Sequence, residues 1–173
     1  MKNNLNAKEV SIAGIIVALM IAAKIALSSL PNIELVSFLI IIFTKKFGKK
    51  MLFVIPLYIV LEIIIFGFDV MWATASVYIW FILYITVRIF GKSESAVLLA
   101  VLSGMYGLVF GFLCSFPYIF VITGTNPSAG FSSAFAYWIY GIPYDIIHGV
   151  SNFIVMLVLY KPVSTLLNRI NKE

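Results

Sequence analysis

The sequence predicts an all-α integral membrane protein: one bundle of six transmembrane helices with the N- and C-termini cytoplasmic. Three observations carry that expectation. The 173 residues are 62% hydrophobic and only 11% charged, where soluble domains sit near half apolar and a quarter charged. The apolar residues gather in six runs separated by short polar loops. The basic residues alternate: Lys2 and Lys8, then Lys45, Lys46, Lys49 and Lys50, then Arg88 and Lys92, then Lys161, Arg169 and Lys172 fall on one side of six spans. The positive-inside rule makes that side cytoplasmic, and Lys24 is the one exception.

Residues 1–173 then form a single membrane domain, multi-pass in the cell (plasma) membrane, with helices expected near 9–28, 33–46, 51–68, 70–90, 95–123 and 131–168. The net charge of +5 is scattered over short loops, so a nucleic-acid partner is not expected. The single Cys114 lies in an apolar run; it rules out a disulfide within the chain and points to a core position. The N-terminus has the outline of a signal peptide, but its apolar stretch is too long for a signal core.

The first run carries Gly14, Ala18, Ala22 and Ala26, a small residue at every fourth position. Such a stripe lets a second helix approach closely, where dispersion contacts drive association. Lys24, near the far end, has two open readings: it snorkels to the interface, or it turns inward to meet an acid. Pro31 ends this helix. Glu34 then opens the second run and complements its helix dipole. That run is short, so the Pro31-Asn32 turn is expected to dip toward the bilayer over the mouth of the bundle, where it could serve as a lid.

The third run contains Pro56 and an intramembrane acid, Glu62. The fourth is aromatic-rich, and Trp72 beside Asp69 suits either an interfacial belt or a stacking wall. Gly91-Lys92-Ser93 is not a nucleotide loop, because Thr86 stands where that loop needs glycine. The fifth run has Gly104, Gly107 and Gly111, which permit close packing. The Asn126-Pro127-Ser128 turn that follows cannot accept a glycan.

The sixth run is expected to break near 141–143, at Gly141-Ile142-Pro143, since breaks at membrane depth are tolerated where they line a cavity. Beyond it, Asp145, His148 and Asn152 recur at steps of three and four and share one helix face. Buried ionisable groups are costly in a bilayer, so this face is a candidate pocket wall. The candidate substrate-binding residues are Glu34, Glu62, Trp72, Tyr137, Trp138, Tyr144, Asp145, His148 and Asn152. Acids, amides and flat aromatic faces in a concave site suit a small heteroaromatic ligand.

Two other classes compete. An intramembrane enzyme would need a metal set such as Asp145, His148, Glu62 and Glu34, but one histidine without a second ligand at helical spacing is a weak signature. A structural or assembly subunit would explain the stripe on the first helix but not the buried acids.

Laid out this way, the chain resembles, over nearly its whole length, the substrate-binding S component of energy-coupling factor (ECF) vitamin transporters. The resemblance rests on the six-span layout, Ala18-x-x-x-Ala22, the Leu30-Pro31-Asn32-Ile33-Glu34 turn, and Ile142-Pro143-Tyr144-Asp145-Ile146-Ile147-His148 running to Ser151-Asn152 and Lys161-Pro162. It implies capture of a vitamin or precursor from outside, and partnership with a transmembrane scaffold subunit and two cytoplasmic ATPases. It implies scaffold docking through the stripe of Gly14, Ala18, Ala22 and Ala26, with Ala18 and Ala22 as its motif. It also implies a gating loop at Pro31, Asn32 and Glu34, and release of ligand by toppling in the membrane. No activity, cofactor or resident metal of its own is expected. The acid-rich site suits a neutral or cationic ring: a vitamin B6-like compound is preferred, with a thiamine precursor, riboflavin or cobalamin as alternatives.

Overall fold

The computed structural model describes residues 7–123 and 127–170. It is all-helical, with no strand among the described residues. The elements are α1 (Ala7–Ala26), α2 (Val36–Phe47), a short 3-10 turn (Gly48–Lys50), α3 (Met51–Phe66), α4 (Val70–Phe90), α5 (Ala96–Thr123) and α6 (Pro127–Ile170). The Gly124–Asn126 part of the last loop, with Lys2 and Lys172, lies outside the described residues.

Four of these helices are long and apolar enough to cross a membrane: Glu9–Ala26, Val70–Phe90, Ala96–Ile122 and Ser128–Arg169. α2 and α3 are shorter, at 12 and 16 residues. At 1.5 Å per residue they reach about 18 and 24 Å, against a hydrocarbon core of about 30 Å.

α2 sits at the centre. Val36, Phe38, Ile40, Ile41, Ile42 and Phe43 are all buried. It packs against α4 and α6, while α1 packs on α3. α1 buries Ala13, Ile16, Val17 and Met20, the i, i+3, i+4, i+7 face of a helix. Its stripe of Gly14, Ala18, Ala22 and Ala26 lies outside that face and is exposed. The α2–α3 turn needs Gly48, whose φ of +55° is left-handed. Asp69 starts α4 by accepting the Trp72 N–H at 2.7 Å, an N-cap that satisfies one orphan donor.

α5 and α6 form the most extensive packed pair. Glycines make their approach possible: a Cβ on Gly107 would stand 2.8 Å from the Gly149 backbone, and one on Gly149 would stand 2.6 Å from the Leu108 side chain.

The expected break near 141–143 does not occur. α6 is one continuous helix of 44 residues through Pro143 and Pro162, about 66 Å long and so twice the hydrocarbon thickness. Pro143 removes only one backbone donor, and transmembrane helices tolerate proline when neighbours hold the segment in place. Here α5 supplies that support: two residues past the proline, Asp145 is anchored on α5.

Contacts gather the basic residues at one end of the bundle. Lys45 Nζ donates to the Gly91 and Ser93 carbonyls at 2.6 and 2.7 Å and pairs with Glu94 at 3.2 Å. Tyr160 donates its hydroxyl to the same Glu94, and this bond, with the Lys45 ammonium, holds the Glu94 carboxyl below the ordinary carboxylate range. Lys46 donates to Asn168 at 2.7 Å, and Lys50 pairs with Glu9 at 3.0 Å. α2, α6, α1 and the α4–α5 loop are thereby tied together at this end.

Candidate ligand-binding site

The buried ionisable groups, Glu62, Asp145 and His148, collect toward the opposite end. On α6, Asp145, His148 and Asn152 share one face and are only 6%, 2% and 1% exposed. Asp145 Oδ1 accepts the Gly111 N–H of α5 at 2.8 Å. Only glycine permits this, because a Cβ at 111 would lie 2.5 Å from both carboxylate oxygens. The other oxygen, Oδ2, is buried and has no partner among the described residues.

One turn on, His148 Nε2 stands 3.3 Å from Glu34 Oε1. The Phe110 ring covers the imidazole, with centroids 4.6 Å apart. Glu34 also accepts the Ser37 N–H with both oxygens, at 3.1 and 2.9 Å, and so caps α2. The turn before α2 has a second tie to α6: Ser151 Oγ donates to the Asn32 carbonyl at 3.2 Å. Asn32 itself has a φ of +58°, a conformation asparagine tolerates better than most residues.

Lys24 turns inward. It lies one turn past Met20 on the buried face of α1, and its ammonium pairs with Glu62 of α3. Glu62 is 1% exposed, and its Oε1 also accepts the Tyr58 hydroxyl at 3.0 Å. The Lys24 ammonium sits 4.8 Å from the Trp72 ring centre and 5.1 Å from that of Phe66, within cation–π range.

Two cavities open between these groups. The larger, about 610 Å³, is walled by Trp72, Phe110, Tyr137, Tyr140, Tyr144 and Asp145, with Gly111 and Cys114 in its lining. The smaller, about 210 Å³, is bounded by Lys24, Glu34, Tyr58, Trp72, Trp80 and His148. They share Asn32, Trp72 and Phe110, so they are two compartments of one site. The first is flat-walled and aromatic with one acid; the second is charged. Glu34 and Asp145 border the compartments while the Lys24 ammonium is paired with Glu62, so carboxylate acceptors without a paired lysine line the site, which favours donors and cations over anions. The larger volume falls within the range of ordinary small-molecule pockets, about 300–1,000 Å³.

Of the residues singled out from the sequence, Trp72, Tyr137, Tyr144 and Asp145 line the larger compartment. Glu34, His148 and again Trp72 line the smaller. Glu62 stands behind Lys24 rather than in the lining. Asn152 lies one turn beyond His148, outside both linings, with neither amide atom partnered among the described residues. Trp138 is packed on Phe112 at 5.2 Å and Phe135 at 6.3 Å, also outside both linings. Of the lid residues, Asn32 and Glu34 border the site; Pro31 does not line it.

Several participants were not anticipated: Tyr58, Trp80, Phe110, Gly111 and Cys114. For Tyr58 a signal existed, since it precedes Glu62 by four residues on one helix. Among the described residues no group of three or more His, Cys, Asp or Glu could hold a metal ion. Compared with protein-family models, with curated proteins and with solved structures, the chain matches none.

Proposed function

We propose that this chain is the substrate-capture subunit of an ECF-type importer. It binds a small vitamin or vitamin precursor from outside, for ATP-driven uptake by a scaffold subunit and two ATPases. It catalyses no reaction itself. In this reading it crosses the cell membrane six times, with the basic end and both termini cytoplasmic.

The observation that carries the proposal is the turn at Asn32–Glu34. It borders a cavity of aromatic and acidic groups, and among the described residues the polar contacts Glu34–His148 and Ser151–Asn32 tie it to α6. A turn held over a pocket by two polar contacts is suited to opening and closing over a ligand. The exposed Gly14–Ala26 stripe supports docking on a scaffold subunit. Compartments of this size and charge suit a one- or two-ring compound, so a B6-like or thiamine-precursor ligand is preferred over riboflavin, and cobalamin is disfavoured.

The test is mass spectrometry of small molecules that co-purify with the detergent-solubilised chain, followed by pull-down with ECF scaffold and ATPase subunits. A stoichiometric heteroaromatic compound and recovery of the partners are expected. Neither ligand nor partner would overturn the proposal. The same exposed stripe also favours a second reading, a structural subunit of another membrane complex; recovery of a partner complex without any bound small molecule would select it.

A further inference from the structure

The charged compartment holds a feature that capture alone does not explain. The Lys24 ammonium is enclosed by a buried carboxylate and two aromatic faces: Glu62 in direct contact, Trp72 at 4.8 Å and Phe66 at 5.1 Å. A cation facing ring surfaces and a carboxylate is how proteins recognise cationic ligand groups. Here the occupant is the chain's own lysine.

We propose that the Glu62–Trp72 corner is a cation subsite that Lys24 fills in the empty protein, and that a cationic group of the ligand binds there by displacing the Lys24 ammonium. This rests on the reading of the cavity as a ligand site and names the chemistry of one of its ends. Three observations carry it. Glu62 is 1% exposed and its Oε2 is buried without a partner among the described residues, so the carboxylate retains unused acceptor capacity. The Lys24 side chain is 30% exposed and lines the smaller compartment, so it has room to leave. It also lies in the last turn of α1, from which a four-carbon stem can snorkel to the interface.

The exchange keeps one positive charge beside Glu62 throughout, so the buried carboxylate is never left bare. An anionic ligand is the competing possibility, with Lys24 as its anchor. The charge balance opposes it: the ammonium is already spent on Glu62, and Glu34 and Asp145 border the same two compartments.

A tethered competitor weakens the binding of every cation by the fraction of time it holds the site. Its removal therefore tightens cation binding selectively. The probes are choline and dimethylbutanol, its uncharged carbon isostere, titrated calorimetrically into the full chain in nanodiscs. Lys24→Met is expected to bind choline about tenfold or more tighter than wild type, a gain of ~1.4 kcal/mol. Dimethylbutanol should bind both forms equally weakly, and Glu62→Gln should lose the preference for choline. Equal choline affinity in Lys24→Met and wild type would overturn the subsite, as would an equal gain for the isostere. Either result leaves the capture reading to be judged by its co-purified ligand.

Because Lys24→Met strips the buried Glu62 of its cation, a measurement on the wild-type chain stands beside it. Choline should accelerate acetylation of Lys24, followed by peptide mass spectrometry, with Lys46 and Lys49 as internal references. Dimethylbutanol should not. A Lys24 acetylation rate that does not move with choline overturns the displacement.

Discussion

Two surfaces of this protein carry the same sequence signature and meet opposite surroundings. Gly104, Gly107 and Gly111 on α5 recur at helical spacing, as do Gly14, Ala18, Ala22 and Ala26 on α1. On α5 the space left by the missing side chains is filled. A Cβ on Gly107 would meet the Gly149 backbone at 2.8 Å, and one on Gly111 would meet Asp145 at 2.5 Å. On α1 it is open: a Cβ on Gly14 would have nothing within 4 Å, and all four stripe residues are exposed. A small-residue stripe therefore marks where a helix can be approached, not what approaches it. In one place the approach is already made within the chain and builds the site; in the other it is still available.

That contrast is broken most sharply by adding bulk on the filled side. Gly107→Val forces two backbones apart along the best-packed pair of helices. A loss of about 3 kcal/mol is expected, the upper end of ordinary overpacking, read as a lowered thermal midpoint in detergent. An unchanged midpoint would mean that α5 and α6 can separate there without cost, and the close approach would not be a structural requirement.

A smaller effect, confined to binding, is expected where packing and site coincide. Asp145→Asn keeps the shape of the side chain but removes its charge, and His148→Ala removes the partner of Glu34. Each should weaken the co-purified ligand by about 1–3 kcal/mol, the usual cost of leaving a buried polar partner unpaired. The midpoint of the empty protein serves as the control. Unchanged affinity in both variants would move the ligand away from α6.

On the open side, Ala18→Trp should leave folding and ligand binding intact and reduce capture of the scaffold subunit by about tenfold or more, as expected where a small-residue interface is blocked. Co-purification at wild-type yield would sink the docking assignment.

How much of this was legible in the sequence differs by residue. Asp145, His148 and Asn152 were found on one face because the helical period is local and needs no knowledge of neighbours. The same logic placed a small-residue stripe on α1. What could not be read was anything set by register between helices. That the Gly111 N–H would meet Asp145 depends on how α5 and α6 slide against each other, and so does the packing of Trp138 against Phe112 while Tyr137 lines the cavity. Lys24 was undecided because a lysine near a helix end can reach either way; Glu62, 38 residues on, decides it. The continuity of α6 was misread for the opposite reason. Gly141-Ile142-Pro143 has breaking propensity, and a local rule was outweighed by packing along α5.

The finest probe of the comparison is the mildest substitution on each side. Gly14→Ala adds one methyl to an exposed helix interior where nothing lies within 4 Å. The chain loses less backbone entropy on folding, so the isolated protein should gain about 0.5–1 kcal/mol. For a chain of this size that is a rise of about 2 °C in thermal midpoint. The same change at Gly111 should have the reverse sign, since its methyl would displace the Asp145 carboxylate. If the open stripe is a docking face, Gly14→Ala should also separate two properties that usually move together: the isolated chain becomes more stable while its partner complex becomes weaker. A complex that gains as much stability as the isolated chain would show that no helix comes close to Gly14, and would confine any docking to the Ala18–Ala26 part of the stripe.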